Sequence, residues 1–70
     1  MTTYKHLSAA IRAAETAIET ATEPLAVVEW HMGSRFYEVK TLRKAERVAE
    51  KPDAKVVVRF YPGLTLDGAS

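Results

Sequence analysis

Cysteine is absent from this 70-residue chain, which excludes a disulfide framework and a thiolate metal site. Neither sign of charge dominates, because ten Lys and Arg stand against nine Asp and Glu. This balance excludes polybasic proteins and acidic nucleic-acid mimics. No apolar run reaches the ~18 residues of a membrane span, no signal-peptide pattern is present, and no membrane partner is expected. Since 47% of the residues are hydrophobic, the sequence predicts one soluble, cytoplasmic, folded domain.

The N-terminal third of the chain has the periodicity of an amphipathic helix. Apolar residues recur at alternating steps of three and four, which predicts a helix over residues 3–22. Thr2 or Thr3 is expected to cap it, and Pro24 is expected to end it. The residues of the apolar stripe are Tyr4, Leu7, Ile11, Ala14, Ile18 and Ala21.

The remaining segments predict a hairpin, a second helix and a third strand. Gly33 is expected to supply the positive φ of the hairpin turn, and Thr41 to cap the second helix. The single domain is expected to cover residues 1–63. A tail is expected at 64–70, where two leucines offer a short edge pairing (Leu64 and Leu66). The predicted segments are strand 25–30, turn 31–34, strand 35–40, helix 42–51 and strand 55–61.

This order predicts an α+β fold, a two-layer αββαβ sandwich. Its three-stranded sheet is expected to be mixed, with strand order 2-1-3 and both helices on one face. Alternation along the strands assigns a strongly apolar set to the helix-covered face. That set contains Ala26, Val28, Trp30, Tyr37, Val39, Val56, Val58 and Phe60.

The opposite alternation leaves an uncovered face on which apolar and cationic groups mix. Contiguous apolar patches of this kind often mark interfaces. Three interpretations remain open: a partly apolar surface shielded by the tail, association with a partner or a second copy, and stacking on nucleic acid. The candidate binding residues of this face are Phe36, Tyr61, Arg59 and Val57.

Charge is unevenly spaced along the two helices. The second helix carries Arg43, Arg47 and Lys51 at intervals of four, which predicts a cationic ridge for phosphate or for an acidic protein patch. The first carries Glu15 and Glu19 one turn apart. In the alternative interpretation, the two helices lie side by side and these ridges face each other.

The residue patterns of catalysis are missing. The three glycines are isolated, so there is no phosphate-binding loop. No serine or threonine stands in a nucleophile motif. Glu29 and His31 share a strand face but form at most a weak pair of metal ligands. No catalytic residue, metal or cofactor is therefore expected, and the chain is not expected to be an enzyme.

Residues 35–61 read RFYEVKTLRKAERVAEKPDAKVVVRFY: a strand ending in Thr-Leu, a short helix rich in Ala and basic residues, and a returning strand. This unit resembles one found in small phage-encoded proteins, including some anti-CRISPR proteins. The resemblance implies a compact, non-catalytic protein that binds and blocks a host macromolecule, and it carries over no functional residues.

The leading predicted function is to block a host or cognate protein by steric occlusion, and two further functions stay open. The first is a nucleic-acid-binding regulator that uses the open sheet face and the basic helix ridge, although near-zero net charge makes nucleic acid the less favoured partner. The second is a homo-oligomeric structural module, such as a dimer.

Overall fold

The structure, a computed structural model, describes residues 2–62. The predicted tail at 64–70, with its pairing through Leu64 and Leu66, lies outside the described residues, as do residues 1 and 63 of the predicted domain. The elements are α1 (Leu7–Ile18), β1 (Leu25–Met32), β2 (Ser34–Thr41), α2 (Leu42–Val48) and β3 (Ala54–Phe60).

The three strands form one sheet in the order β2-β1-β3. The α+β class, the order of the elements and the order of the strands are confirmed. The expected mixed sheet is wrong, because both neighbouring pairs are antiparallel. Strands β2 and β3 do run in the same direction, but β1 lies between them, so no two parallel strands within residues 2–62 are hydrogen-bonded.

The hairpin register decides which side chains share a face. Gly33, at φ +77°, is the only residue between the two strands, which confirms its predicted role. With this one-residue turn, Glu29 lies opposite Tyr37, and Trp30 lies opposite Phe36. The predicted alternation had placed Trp30 and Tyr37 on the same face. A slip of one residue moves every side chain of a strand to the other face, so that assignment is wrong.

A β-bulge in β3 has a similar effect. The register with β1 shifts between Val58 and Val56, which leaves Val57 without a partner. Val57 and Val58 both pack into the cluster beneath α1, whereas Val56 packs beneath α2. Beyond the bulge, Arg59 pairs with Ala26 and therefore shares the α2 face of the sheet.

The helices cover opposite faces of the sheet. Ala10 and Ala14 of α1 pack on Val27 and Tyr37. On the other face, Ala45 of α2 belongs to a separate cluster with Ala26, Val28 and Ala54. The described residues give no contact between α1 and α2. The expected two-layer sandwich with one open face is therefore wrong: the sheet lies between the two helices.

Helix α1 is shorter than predicted because the residues before it are extended. Tyr4 exchanges two backbone hydrogen bonds with Tyr37 at the outer edge of β2, with N···O distances of 2.9 and 2.8 Å. The helix begins only after His6, which makes no side-chain cap, so the predicted capping by Thr2 or Thr3 is wrong. No helix within residues 2–62 is long and apolar enough to cross a membrane.

Candidate binding surface

Helix α2 points two arginines straight away from the sheet. The hydroxyl of Thr41 accepts a hydrogen bond from the backbone N–H of Lys44 at 3.4 Å, which confirms Thr41 as the N-cap. Ala45 is fully buried against the sheet. At 100° per residue, Arg43 and Arg47 lie almost opposite Ala45, and both are exposed. The local sequence thus fixes both the inward and the outward side of this helix.

Three further cations lie on α2, directly after it, or on the sheet face that it covers. Lys44 flanks the two arginines, Lys51 follows in the turn after the helix, and Arg59 projects from the same face beside Ala26. All three are exposed. We call the five cations together the basic surface. It comprises Arg43, Lys44, Arg47, Lys51 and Arg59.

The basic surface has no ionic partner within the described residues. The ion pairs present among residues 2–62 all belong to other cations, namely Arg35, Lys40 and Lys55. The exposed acids between Arg43 and Arg59 are Glu46, Glu50 and Asp53. The five cations of the basic surface against these three carboxylates leave a local charge of +2, although the whole chain carries only +1.

The other predicted binding residues do not join one surface. Val57 is half-buried in the cluster beneath α1. Tyr61 directly follows β3 and is 44% exposed. Phe36 lies near the hairpin turn, opposite Trp30, whereas Phe60 pairs with Leu25 at the other end of β1. Phe36 and Tyr61 are therefore separated by most of the sheet, roughly 17 Å along the strands. The predicted patch joining Phe36, Tyr61, Arg59 and Val57 does not form.

Phe36 instead contributes to a network of aromatic and charged groups on the α2 face. Its ring stacks on Trp30, with centroids 6.1 Å apart and planes 9° from parallel. The indole N–H of Trp30 donates to Oε1 of Glu38 at 3.0 Å. The ammonium group of Lys40 lies 3.5 Å from the same oxygen. Glu38 is only 4% exposed, so the network buries a carboxylate that alternation had assigned to an open face.

A charged cleft of about 270 Å³ opens on the α1 face near the hairpin turn. Its centre is Glu29, whose Oε2 accepts a hydrogen bond from the hydroxyl of Tyr37 at 3.2 Å. Arg35 Nε lies 3.7 Å from that oxygen, and Lys55 Nζ lies 3.6 Å from Oε1. His31 contacts Arg35 at 3.4 Å. Because both oxygens of Glu29 already face cations or a donor, the carboxylate serves to hold the strands together.

The cleft was only partly visible in the sequence. The shared strand face of Glu29 and His31 was predicted, but Arg35 and Lys55 join them only through the observed registers. No three His, Asp or Glu residues within 2–62 lie close enough to hold a metal ion.

The carboxylates of α1 lie away from the basic surface. Glu15 and Glu19 are exposed on the side of the sheet opposite α2. The alternative interpretation, in which the acidic and basic ridges of one molecule face each other, is therefore wrong. No family model, curated protein or solved structure matches this chain.

Proposed function

We propose that this chain is a small, non-enzymatic binding protein that covers an acidic surface of a partner protein and so blocks its use. One observation carries the proposal. Five exposed cations lie on α2, in the turn after it or on the sheet face that it covers, and none of them has an ionic partner among residues 2–62. The positive electrostatic potential of these cations attracts a negatively charged surface and suppresses the binding of positively charged ones.

The arginines suit the role of anchors. A guanidinium group binds a carboxylate through two parallel hydrogen bonds, and arginine is enriched among the residues that dominate interface energies. Arg43 and Arg47 stand one helical turn apart and point directly outward. A partner carrying carboxylates about 5–6 Å apart, as on a helix, would match this spacing.

A protein partner is favoured over nucleic acid because each sheet face is covered by a helix. Stacking of bases on an open sheet was the basis of the nucleic-acid alternative. Val57 is packed beneath α1, Phe36 is stacked on Trp30, and Tyr61 lies at the far end of the sheet. The resemblance of residues 35–61 to phage-encoded inhibitors supports a host or cognate protein as the target, and we place the encounter in the cytoplasm.

The test compares a reversed basic surface with a matched control. Arg43→Glu/Arg47→Glu reverses the outward charge of α2. Lys5→Glu/Arg12→Glu makes the same change in net charge on exposed residues of the other side. Fluorescence anisotropy with a labelled, glutamate-rich helical peptide should show at least about tenfold weaker binding for the first variant and not for the second.

A labelled DNA single strand decides between the two partner classes. If the DNA binds more tightly than the peptide, and its affinity falls steeply as salt is raised, the basic surface is a nucleic-acid site and the proposal is wrong. Equal loss of peptide binding in both variants would also contradict it, because net charge alone would then explain the affinity.

A further inference from the structure

The C-terminal end of α1 carries a net negative charge, and the nearest cation along the helix is Arg12, one turn before Glu15. Residues 13–24 contain three glutamates and neither lysine nor arginine. All three are exposed, and the ion pairs among residues 2–62 involve other carboxylates. We call these residues the acidic ridge. It comprises Glu15, Glu19 and Glu23.

Two features make the acidic ridge unfavourable in an isolated molecule. Glu15 and Glu19 stand one turn apart, where like charges repel. Glu19 is also the C-cap of α1, and no basic residue lies in the last turn of that helix. The negative end of the helix dipole therefore meets negative side chains. A cationic partner would relieve both effects.

The same chain has matching cations that cannot reach this ridge. Arg43 and Arg47 repeat the one-turn spacing of Glu15 and Glu19, but the sheet lies between the two helices. Pairing of the two surfaces is thus impossible within one molecule. Within the described residues nothing covers either surface, so a second molecule can reach both.

We propose that the basic surface of one copy binds the acidic ridge of a second copy. This inference rests on the proposed function of the basic surface as a docking site for carboxylates, and it names one partner. Because the two surfaces lie on opposite sides of the sheet, the contact is head-to-tail and leaves one surface of each kind free. Association therefore continues beyond pairs as concentration rises. Exposed ion pairs are individually weak and screened by salt, so it requires high protein concentration and low ionic strength.

Sedimentation velocity at rising protein concentration tests the inference. At low salt, the average mass of the wild-type protein should rise above 7.8 kDa, and it should return to that value at high salt. Glu15→Lys/Glu19→Lys and Arg43→Glu/Arg47→Glu should each remain monomeric. Two control variants with the same changes in net charge, Glu46→Lys/Glu50→Lys and Lys5→Glu/Arg12→Glu, keep both sets of paired residues and add charge of the matching sign beside them, because Glu46 and Glu50 lie among the cations of the basic surface and Arg12 stands one turn before Glu15. Both controls should still associate.

Two results would overturn the inference. The first is a wild-type mass that stays at 7.8 kDa up to about millimolar concentration at low salt. The second is equal loss of association in the controls and in the ridge variants. The acidic peptide separates this failure from failure of the proposed function. If the peptide binds the basic surface while the protein stays monomeric, only the second copy is excluded; if neither binds, both proposals are wrong.

Discussion

Removing the buried carboxylate of Glu38 should cost this small domain a large part of its stability. Glu38→Ala leaves the indole N–H of Trp30 without its acceptor and the ammonium group of Lys40 without its anion. A hydrogen bond to a charged group contributes about 1.5–3 kcal/mol. Loss of one partner from a fully buried ion pair costs about 3–5 kcal/mol. Lys40 is 18% exposed and can turn toward water, which favours the lower part of this range.

We therefore expect Glu38→Ala to lower the free energy of unfolding by about 2–4 kcal/mol. For a domain of this size, each kcal/mol corresponds to about 4–8 °C in Tm, so the Tm should fall by at least roughly 8 °C. Glu38→Gln should lose less, about 1–2 kcal/mol, because its amide oxygen still accepts from Trp30.

Urea denaturation followed by far-UV circular dichroism measures these differences. Trp30, the only tryptophan, gives an independent fluorescence signal. The control is Glu46→Ala, an exposed glutamate on α2 that should change stability by less than about 0.5 kcal/mol. If Glu38→Ala lowers the free energy of unfolding by no more than Glu46→Ala does, the buried network does not stabilise the fold and the reasoning is refuted.

Three other substitutions test the fold. Val27→Ala opens space in the fully buried cluster beneath α1 and should cost about 1–3 kcal/mol by thermal denaturation; a change below 0.5 kcal/mol would contradict the packing described. Gly33→Ala forces a side chain to φ +77° and should cost about 1–2 kcal/mol, although no atom lies within 4 Å of the added Cβ; unchanged stability would show that the turn has another conformation. Thr41→Ala removes the cap of α2 and should cost about 1 kcal/mol, whereas Thr41→Ser should cost less; equal losses would exclude capping.

Local signals in the sequence predict the local structure well. Thr41 caps α2, and Gly33 forms the hairpin turn through its positive φ. Pro24 separates α1 from β1, but the helix already ends at Ile18. The β-branched and acidic residues that follow Ile18 weaken that last turn. The N-terminal boundary was not predictable in this way, because Tyr4 is held by a partner far along the chain.

The placement of the helices was mispredicted because it depends on pairing between distant strands. The predicted alternation implied a pairing of β1 with β2 that is one residue away from the observed register. The bulge at Val57 also places the two ends of β3 in opposite alternation, so its side chains change sheet face there. A useful signal was nevertheless present. The runs Leu25–Val28 and Val56–Val58 are continuously apolar, and β1 is buried on both faces over the first of them. Continuous rather than alternating runs indicate a strand covered on both sides.

The candidate site, too, was predicted where it depends on local sequence and missed where it depends on the pairing of distant strands. Exposure of Arg43 and Arg47 follows from the helical period, so this part was visible in the sequence, whereas Lys51, predicted in the same helix, lies in the turn after it. The grouping of Arg59 with them, and the loss of Val57 to the core, depend on the bulge. A single sequence carries no direct signal for the position of a bulge within three successive valines.

The sheet separates α1 from α2 and so leaves the basic surface without an ionic partner among residues 2–62. Because the chain has no cysteine, Glu15→Cys/Arg47→Cys can be labelled uniquely with two spin labels. Pulsed electron–electron double resonance at high salt then measures the distance between the two spin labels on the outer sides of the helices. With a sheet between them, we predict a backbone separation of at least about 20 Å. A distance near 10 Å, the spacing of two helices packed side by side, would contradict the account.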